Sequence, residues 1–499
     1  MHNKDSKKNL FFNLLSSIFL HIITIITGFV ISPLIITTYG SSVNGMLSSI
    51  TQFIACLSIV EAGVGSASIA MLYKPIANNE LEKRNQILSD ARFFYFKSGA
   101  IFLVLIFLLA CFYPYLIVKD IAYMTTFSMV LVLGLTAISD FFLIGKYRVL
   151  LTADQKIFLL SAVQILSMLF NLFVTYFLIK RDGSILAIKL FASLFFIVKY
   201  LILRVYITRI YSGISFYIKP NNPIPQRWDV FIHQISSLII FNSPIILITI
   251  FCGLKEVSVY AVYALVFNAI IQMLSVVSNP LQSYFGNSLV KNDTEIIKRQ
   301  FDYYESVCYS LSGWMIACTS LLINPFISVY TRNMVDAVYV RPLLAFLFLI
   351  YAFANLIRIP GATLIVSSGH FKLTRNRSII EALLNLFCCL LLVNKLGVNG
   401  LLIGSIISVF YRTVDVIFYV NKRILYRGII KSFIKFLLLL FFIILSVIAF
   451  QRFSDIQVQT YFEWIKNAFF ISGICIVPFG LFYVISIVIN KLEFGMGTN

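Results

Sequence analysis

The 499-residue sequence predicts an all-α integral membrane protein of about fourteen transmembrane helices, in two pseudo-symmetric six-helix lobes followed by two more helices. Three observations predict it. Sixty per cent of the residues are hydrophobic and 12% charged, against about 25% charged in an ordinary soluble domain. The apolar residues gather into separate runs, most of them near the roughly 20 residues that a helix needs to cross a bilayer. Finally, the first half of the chain is echoed by the second.

The echo is ordered. NSPIILITIFCGLKEVSVY, near residue 244, answers ISPLIITTYGSSVNG, and the loop NDTEIIKRQ (292–300) answers NNELEKRNQ (78–86). Leu311-Ser312-Gly313 answers Lys97-Ser98-Gly99, Asn324-Pro325-Phe326 answers Tyr113-Pro114-Tyr115, and Asn385-Leu386-Phe387 answers Asn171-Leu172-Phe173. The offsets all fall between 211 and 215 residues, as duplication of one six-helix unit requires. Parallel repeats around a central cavity are a common transporter plan.

The spans fall at about 10–36, 43–72, 93–117, 122–145, 157–179, 183–206, 230–252, 256–285, 305–329, 342–366, 378–394, 398–421, 433–451 and 465–490. The stretch 39–79 organises the chain: a polar turn, a long apolar run, one carboxylate (Glu61) and then Gly63-Val64-Gly65-Ser66-Ala67, a small-residue face for close helix packing. Its glycine spacing imitates a dinucleotide loop, but no strand precedes it. Residues 1–211 form the N-terminal lobe and 212–229 a linker with Pro220, Pro223 and Pro225. Residues 230–425 form the C-terminal lobe, and 426–499 an appendage outside the repeat. The N-terminal lysines before an apolar run resemble a secretory signal, but the run is too long and has no small-residue cleavage site.

Charge supplies the orientation. With the N-terminus in the cytoplasm, the inner segments hold 26 of the 40 Lys and Arg residues, the outer turns 9 and the spans 5. That asymmetry predicts cytoplasmic termini and a cell-membrane location. It also accounts for most of the +19 net charge without nucleic acid, since basic clusters such as Lys422/Arg423/Arg427/Lys431/Lys435 are expected to lie against anionic lipid. The eight cysteines all fall in apolar segments with no CxxC pair, so neither a zinc site nor a disulfide framework is indicated.

LSIVEAGVGSASIAMLYKPIANNE resembles the second helix of bacterial polysaccharide exporters, the O-antigen and capsule flippases of the multidrug/oligosaccharidyl-lipid/polysaccharide (MOP) superfamily. Leu150-Leu151-Thr152-Ala153-Asp154-Gln155-Lys156 is similar to that family's Ala-(Asp/Gly)-Gln-Lys signature, and Val366 to Lys372 is its repeat counterpart. Asn242-Ser243 and Gly253 to Tyr260 resemble its seventh helix and the turn after it, although Pro244 stands where many relatives carry an aspartate. The likeness covers roughly residues 10–425. It implies a non-enzymatic flippase that moves undecaprenyl-pyrophosphate-linked oligosaccharide between leaflets by alternating access. A polysaccharide polymerase and chain-length machinery are its implied partners. Alternatives are a lipid II flippase, a cation-coupled drug exporter and, from another class, a membrane glycosyltransferase, for which the outer turns are too short.

A phosphate-bearing headgroup needs a cationic cavity, and an ionisable group inside a span costs about 2.5–3.5 kcal/mol on insertion scales. Arg412, some 18 Å into the twelfth span by helical rise, is the first candidate for the pyrophosphate, because guanidinium forks onto phosphate oxygens. Asp415 is one turn away and reaches it on the same face; the bland reading is a self-contained ion pair. Arg358, before Pro360-Gly361, is placed by a kink to line a cavity or to hold helices together. Lys189 and Lys199 are further binding candidates, with snorkelling to headgroups as the plainer reading. Glu61 and Asp140 are candidates for gating with Arg358 and Arg412, for coupling to an H+ or Na+ gradient, or for plain bonding to a loop lysine. His21, near the middle of the first span, is a titratable candidate or a bonded core histidine. No cofactor, metal-ligand spacing, Walker sequence or Ser-His-Asp order is evident.

Overall fold

A computed structural model describes residues 2–61, 64–117, 120–211, 213–219, 228–290, 294–451 and 458–496. Every regular element among these residues is helical. Thirteen helical stretches are long and apolar enough to span a membrane, and the longest, Phe371–Ile424, runs for 54 residues. Within it Gly397, at φ 58 and ψ −135, breaks the helix. Only glycine adopts such a backbone at little cost, so the chain reverses there and the stretch divides into two helices. Among the described residues, thirteen stretches therefore give fourteen segments long and apolar enough to cross a membrane, the number the sequence predicts. The prolines of the expected linker, Pro220, Pro223 and Pro225, lie outside the described residues, as does Gly63.

The chain forms two compact units, Met1–Ser258 and Val259–Asn499. In the first, α1 (His2–Tyr39) lies along α7 (Ile157–Ile179). Asn13 Nδ2 donates to the Gln155 carbonyl and Asn13 Oδ1 accepts from the Phe158 amide, both at 2.8 Å. Gly40 (φ 88) turns the chain into α2 (Ser41–Leu57), and the second span then passes through a tight turn at Ser58–Glu61 into α3 (Val64–Ala77). Next come α4 (Leu81–Leu116), α5 (Tyr123–Ser139), a wide turn at Asp140–Ile144, and α6 (Gly145–Ala153). The unit continues with α7, α8 (Ile185–Ser193), α9 (Phe195–Ile210) and α10 (Trp228–Phe251). Phe102, Tyr113, Met129 and Leu150 are fully buried among them.

The sequence repeat assigns α10 to the second lobe, yet it packs on α2 in the first unit. Ser49 bonds Thr249 at 2.7 Å, and Asn44 donates to Ser258 at 2.8 Å. Gly45 permits the approach. A methyl group there would sit 1.9 Å from the backbone oxygen of Leu254, the first residue of α11 (Leu254–Val290).

The second unit is organised around α12 (Thr294–Tyr330), flanked by α13 (Pro342–Ser367), α15 (Ile430–Phe450) and α16 (Tyr461–Met496). The last two helices, outside the repeat, are tied to α12 along its length. Trp464 Nε1 donates to the Leu322 carbonyl, Trp314 Nε1 to that of Ser472 and Ser310 to that of Phe479, while Ser306 meets Ser486 at 2.6 Å. The helix α14 (Phe371–Tyr419) carries the reversal at Gly397, and its two limbs touch through Gly404, where a methyl would meet the Cys389 amide nitrogen at 2.6 Å.

Candidate functional site

The apolar helices of each unit enclose ionised side chains, and these group into three networks. In the first unit, the wide turn at Asp140–Ile144 and the tight turn at Ser58–Glu61 each leave the regular helical path where a carboxylate faces inward. Irregular backbone at membrane depth is tolerated where protein satisfies it, and such bulges often accompany function. Glu61 Oε1 accepts from the Tyr95 hydroxyl at 2.8 Å and from Arg148 Nη1 at 3.2 Å. Arg148 also reaches Asp140 at 3.8 Å, and Lys199 Nζ donates to Asp140 at 3.1 Å and to Gln164 at 3.3 Å. Two cations balance two carboxylates, so this network is neutral.

In the second unit, Arg358 on α13 donates to Glu381 at 2.6 Å and to Asn355 at 3.0 Å. Glu381, 4% exposed, receives Arg412 Nε at 3.5 Å on its other oxygen. Arg412 Nη1 donates to Asp415 at 2.6 Å, and Arg377 donates to the remaining oxygen of Asp415. Three guanidinium groups share two carboxylates, which leaves one positive charge in surplus. Beside it lies a cavity of about 630 Å3 lined by Arg377, Tyr411, Asp415, Tyr419, Lys422 and Arg423 with Val414 and Phe418.

The third network was not anticipated. Asp302 and Glu305 on α12 face Lys431 and Lys435 at the start of α15 and Arg427 in the bend that precedes it. Lys431 bonds Asp302 at 2.6 Å, Lys435 bonds Glu305 at 2.8 Å, and Arg427 bonds Asp302 directly. Ser432 donates to the second oxygen of Glu305. The expectation that this whole basic cluster lies against anionic lipid fails for Arg427, Lys431 and Lys435; of the five, Lys422 and Arg423 are exposed. Arg427, Lys431 and Lys435 are buried in helix contacts, Lys435 completely. Carboxylates three residues apart on α12 and lysines four apart on α15 were the available signal, since each pair marks one helix face; Arg427 joins them from the bend before α15.

The structure thus brings Lys199 to Asp140, and Arg412 to Asp415, while Arg148, Glu381 and Arg377 complete the chains that the sequence left open. Glu61 and Asp140 pair with Arg148 and Lys199; the partners of Arg358 and Arg412 are Glu381, Asn355 and Asp415. Lys189 is half-buried on α8 and makes no hydrogen bond or ion pair among the described residues. His21 is half-buried on α1. The repeat also recurs in the networks. Lys199 and Arg412 are 213 residues apart, Gln164 and Arg377 213, and Asp140 and Asn355 215, all within the sequence offset. The fourth-span acid of the first repeat is an amide in the second, and Glu381 supplies the carboxylate from the neighbouring helix instead.

The fold is that of known transporters. The lipid II flippase MurJ, in an inward closed conformation, superposes with a TM-score of 0.70 at 15% identity, covering 97% of this chain and 99% of that one. An inward-facing multidrug resistance MATE family transporter of the MOP superfamily gives 0.66 at 11% identity, covering 82% of this chain and 98% of that one. A eukaryotic MATE transporter gives 0.57 at 15%, covering 86% and 98%. No family model and no curated protein sequence matches. At these identities the likeness is one of architecture, and it defines a multi-pass membrane protein with the MATE- and MurJ-like fold.

Proposed function

We propose that this protein is a flippase for polyprenyl-pyrophosphate-linked oligosaccharide, working by alternating access in the cell membrane with both termini in the cytoplasm. The observation that carries the reading is the superposition on a lipid II flippase across 97% of this chain, against 82–86% for the drug-transporter neighbours. The cation surplus of the Arg358–Glu381–Arg412–Asp415–Arg377 network supports it chemically. An anionic headgroup offers phosphate oxygens to guanidinium groups that carboxylates already hold in place. The cargo we favour is an O-antigen, capsule or exopolysaccharide repeat unit, with a polysaccharide polymerase downstream.

The test is transbilayer movement of a fluorescent polyprenyl-pyrophosphate saccharide in proteoliposomes holding the full chain, read by quenching of outer-leaflet probe. Wild type moves the probe; Arg412→Lys, which keeps the charge but loses the fork, slows it at least tenfold. Normal movement by a variant lacking both Arg358 and Arg412 defeats the site assignment. A second reading, lipid II as cargo, is favoured by the named neighbour, and cell lysis on depletion is its signature. Drug sensitivity on deletion, without dependence on a lipid carrier, would instead mark a drug exporter.

A further inference from the structure

The cavity at the end of α14 joins a cationic wall to an apolar one. Arg377, Lys422 and Arg423 line it with one carboxylate, Asp415, which leaves its wall at two positive charges. Lys422 and Arg423 are exposed and make no hydrogen bond or ion pair among the described residues, although Lys422 Nζ lies 5.9 Å over the Phe418 ring. They lie within two residues of the end of the span Phe371–Ile424, the depth at which headgroups sit. From the cavity an exposed apolar stripe, Phe418, Val414, Phe410 and Ile407, runs back along one face of α14. Its spacing of three and four residues keeps it on one side, and its length is about 16 Å.

We propose that this cavity binds the phosphate of an anionic membrane lipid, with the acyl chain laid along the stripe and Asp415 as the phosphate's competitor for Arg377. The charges argue for phosphate. Basic side chains gathered at a membrane surface each attract anionic lipid by about 1 kcal/mol, and a guanidinium fork fits phosphate oxygens. The continuous apolar stripe argues for a lipid rather than a free ion. Asp415 divides its oxygens between Arg377 and Arg412. A phosphate that takes Arg377 therefore leaves Asp415 to Arg412 alone, which links occupancy of the cavity to the buried network. The inference rests on the same Arg377–Asp415 pair as the flippase reading, but the two fail apart: lost lipid retention with normal probe movement overturns this inference alone, and lost movement with normal retention leaves it standing.

The experiment is native mass spectrometry of the full-length, delipidated protein titrated with dioctanoyl phosphatidic acid, beside dioctanoyl phosphatidylcholine and inorganic phosphate. Wild type is expected to retain phosphatidic acid over phosphatidylcholine, and inorganic phosphate at the same concentration is expected not to displace it. Lys422→Gln with Arg423→Gln should weaken binding about 30-fold, two charges' worth. Asp415→Asn should tighten it about fivefold, because the competitor is gone. The double glutamine variant alters exposed side chains and breaks no ion pair or hydrogen bond among the described residues, so it tests binding without threatening the fold. Unchanged affinity in that variant, equal retention of phosphatidylcholine, or displacement by inorganic phosphate each overturns the proposal.

Discussion

Replacing Glu305 by glutamine should destabilise the second unit far more than replacing its partner Lys435 by methionine. The reason is the charge count between α12 and α15. Arg427, Lys431 and Lys435 carry three positive charges against the two of Asp302 and Glu305, and all five side chains are at most 7% exposed. Glu305→Gln leaves three buried cations on one carboxylate. Removing one partner from a buried pair typically costs about 3–5 kcal/mol, because the orphaned charge keeps its desolvation penalty. Lys435→Met instead brings the network to neutrality. Glu305 keeps Ser432 at 2.9 Å and Arg427 at 3.6 Å, while Asp302 keeps Arg427 and Lys431. The loss is then one hydrogen bond to Glu305 and a longer ion pair with Asp302 at 3.7 Å, about 1.5–3 kcal/mol, offset in part by the removed surplus charge. The assay is thermal inactivation of a fluorescent fusion in mild detergent, followed by size-exclusion chromatography. The glutamine variant should lose on the order of 10 °C and the methionine variant clearly less. If Lys435→Met proves as damaging as Glu305→Gln, charge balance is not what governs this contact.

The same reasoning extends elsewhere. Gly45→Ala drives a methyl into the Leu254 backbone oxygen, which cannot rotate away, and should cost about 1–3 kcal/mol in thermal stability. Gly404→Ala meets the Cys389 amide in the same manner, and a comparable loss should appear in the second unit. A double-mutant cycle on Asn44→Ala and Ser258→Ala should return about 0.5–1.5 kcal/mol of coupling; additive losses would show that their hydrogen bond contributes nothing. Asp140→Asn leaves Lys199 with only Gln164 and, with Asp140 a third exposed, should lower stability by about 1.5–3 kcal/mol, whereas Lys189→Met, which breaks no pair, should leave it unchanged or raised.

The sequence by itself determined the membrane architecture, because burying helices in lipid demands long apolar runs and almost nothing else supplies them. It determined the reversal near residue 397 as well: two spans separated by only three residues need a sharp turn, and a glycine stands there. Duplication was legible because offsets survive where identities do not, and the Arg412–Asp415 pair because three residues is one helical turn. Tertiary structure alone decided which charges meet across helices. Glu381 and Arg148 look unremarkable in sequence, since their partners Arg412 and Glu61 lie 31 and 87 residues away. Lys431 and Lys435 read as membrane-surface lysines until α12 presents Asp302 and Glu305 to them. A charge in an apolar run announces that it needs a partner, but only the packing of the helices says which one it has.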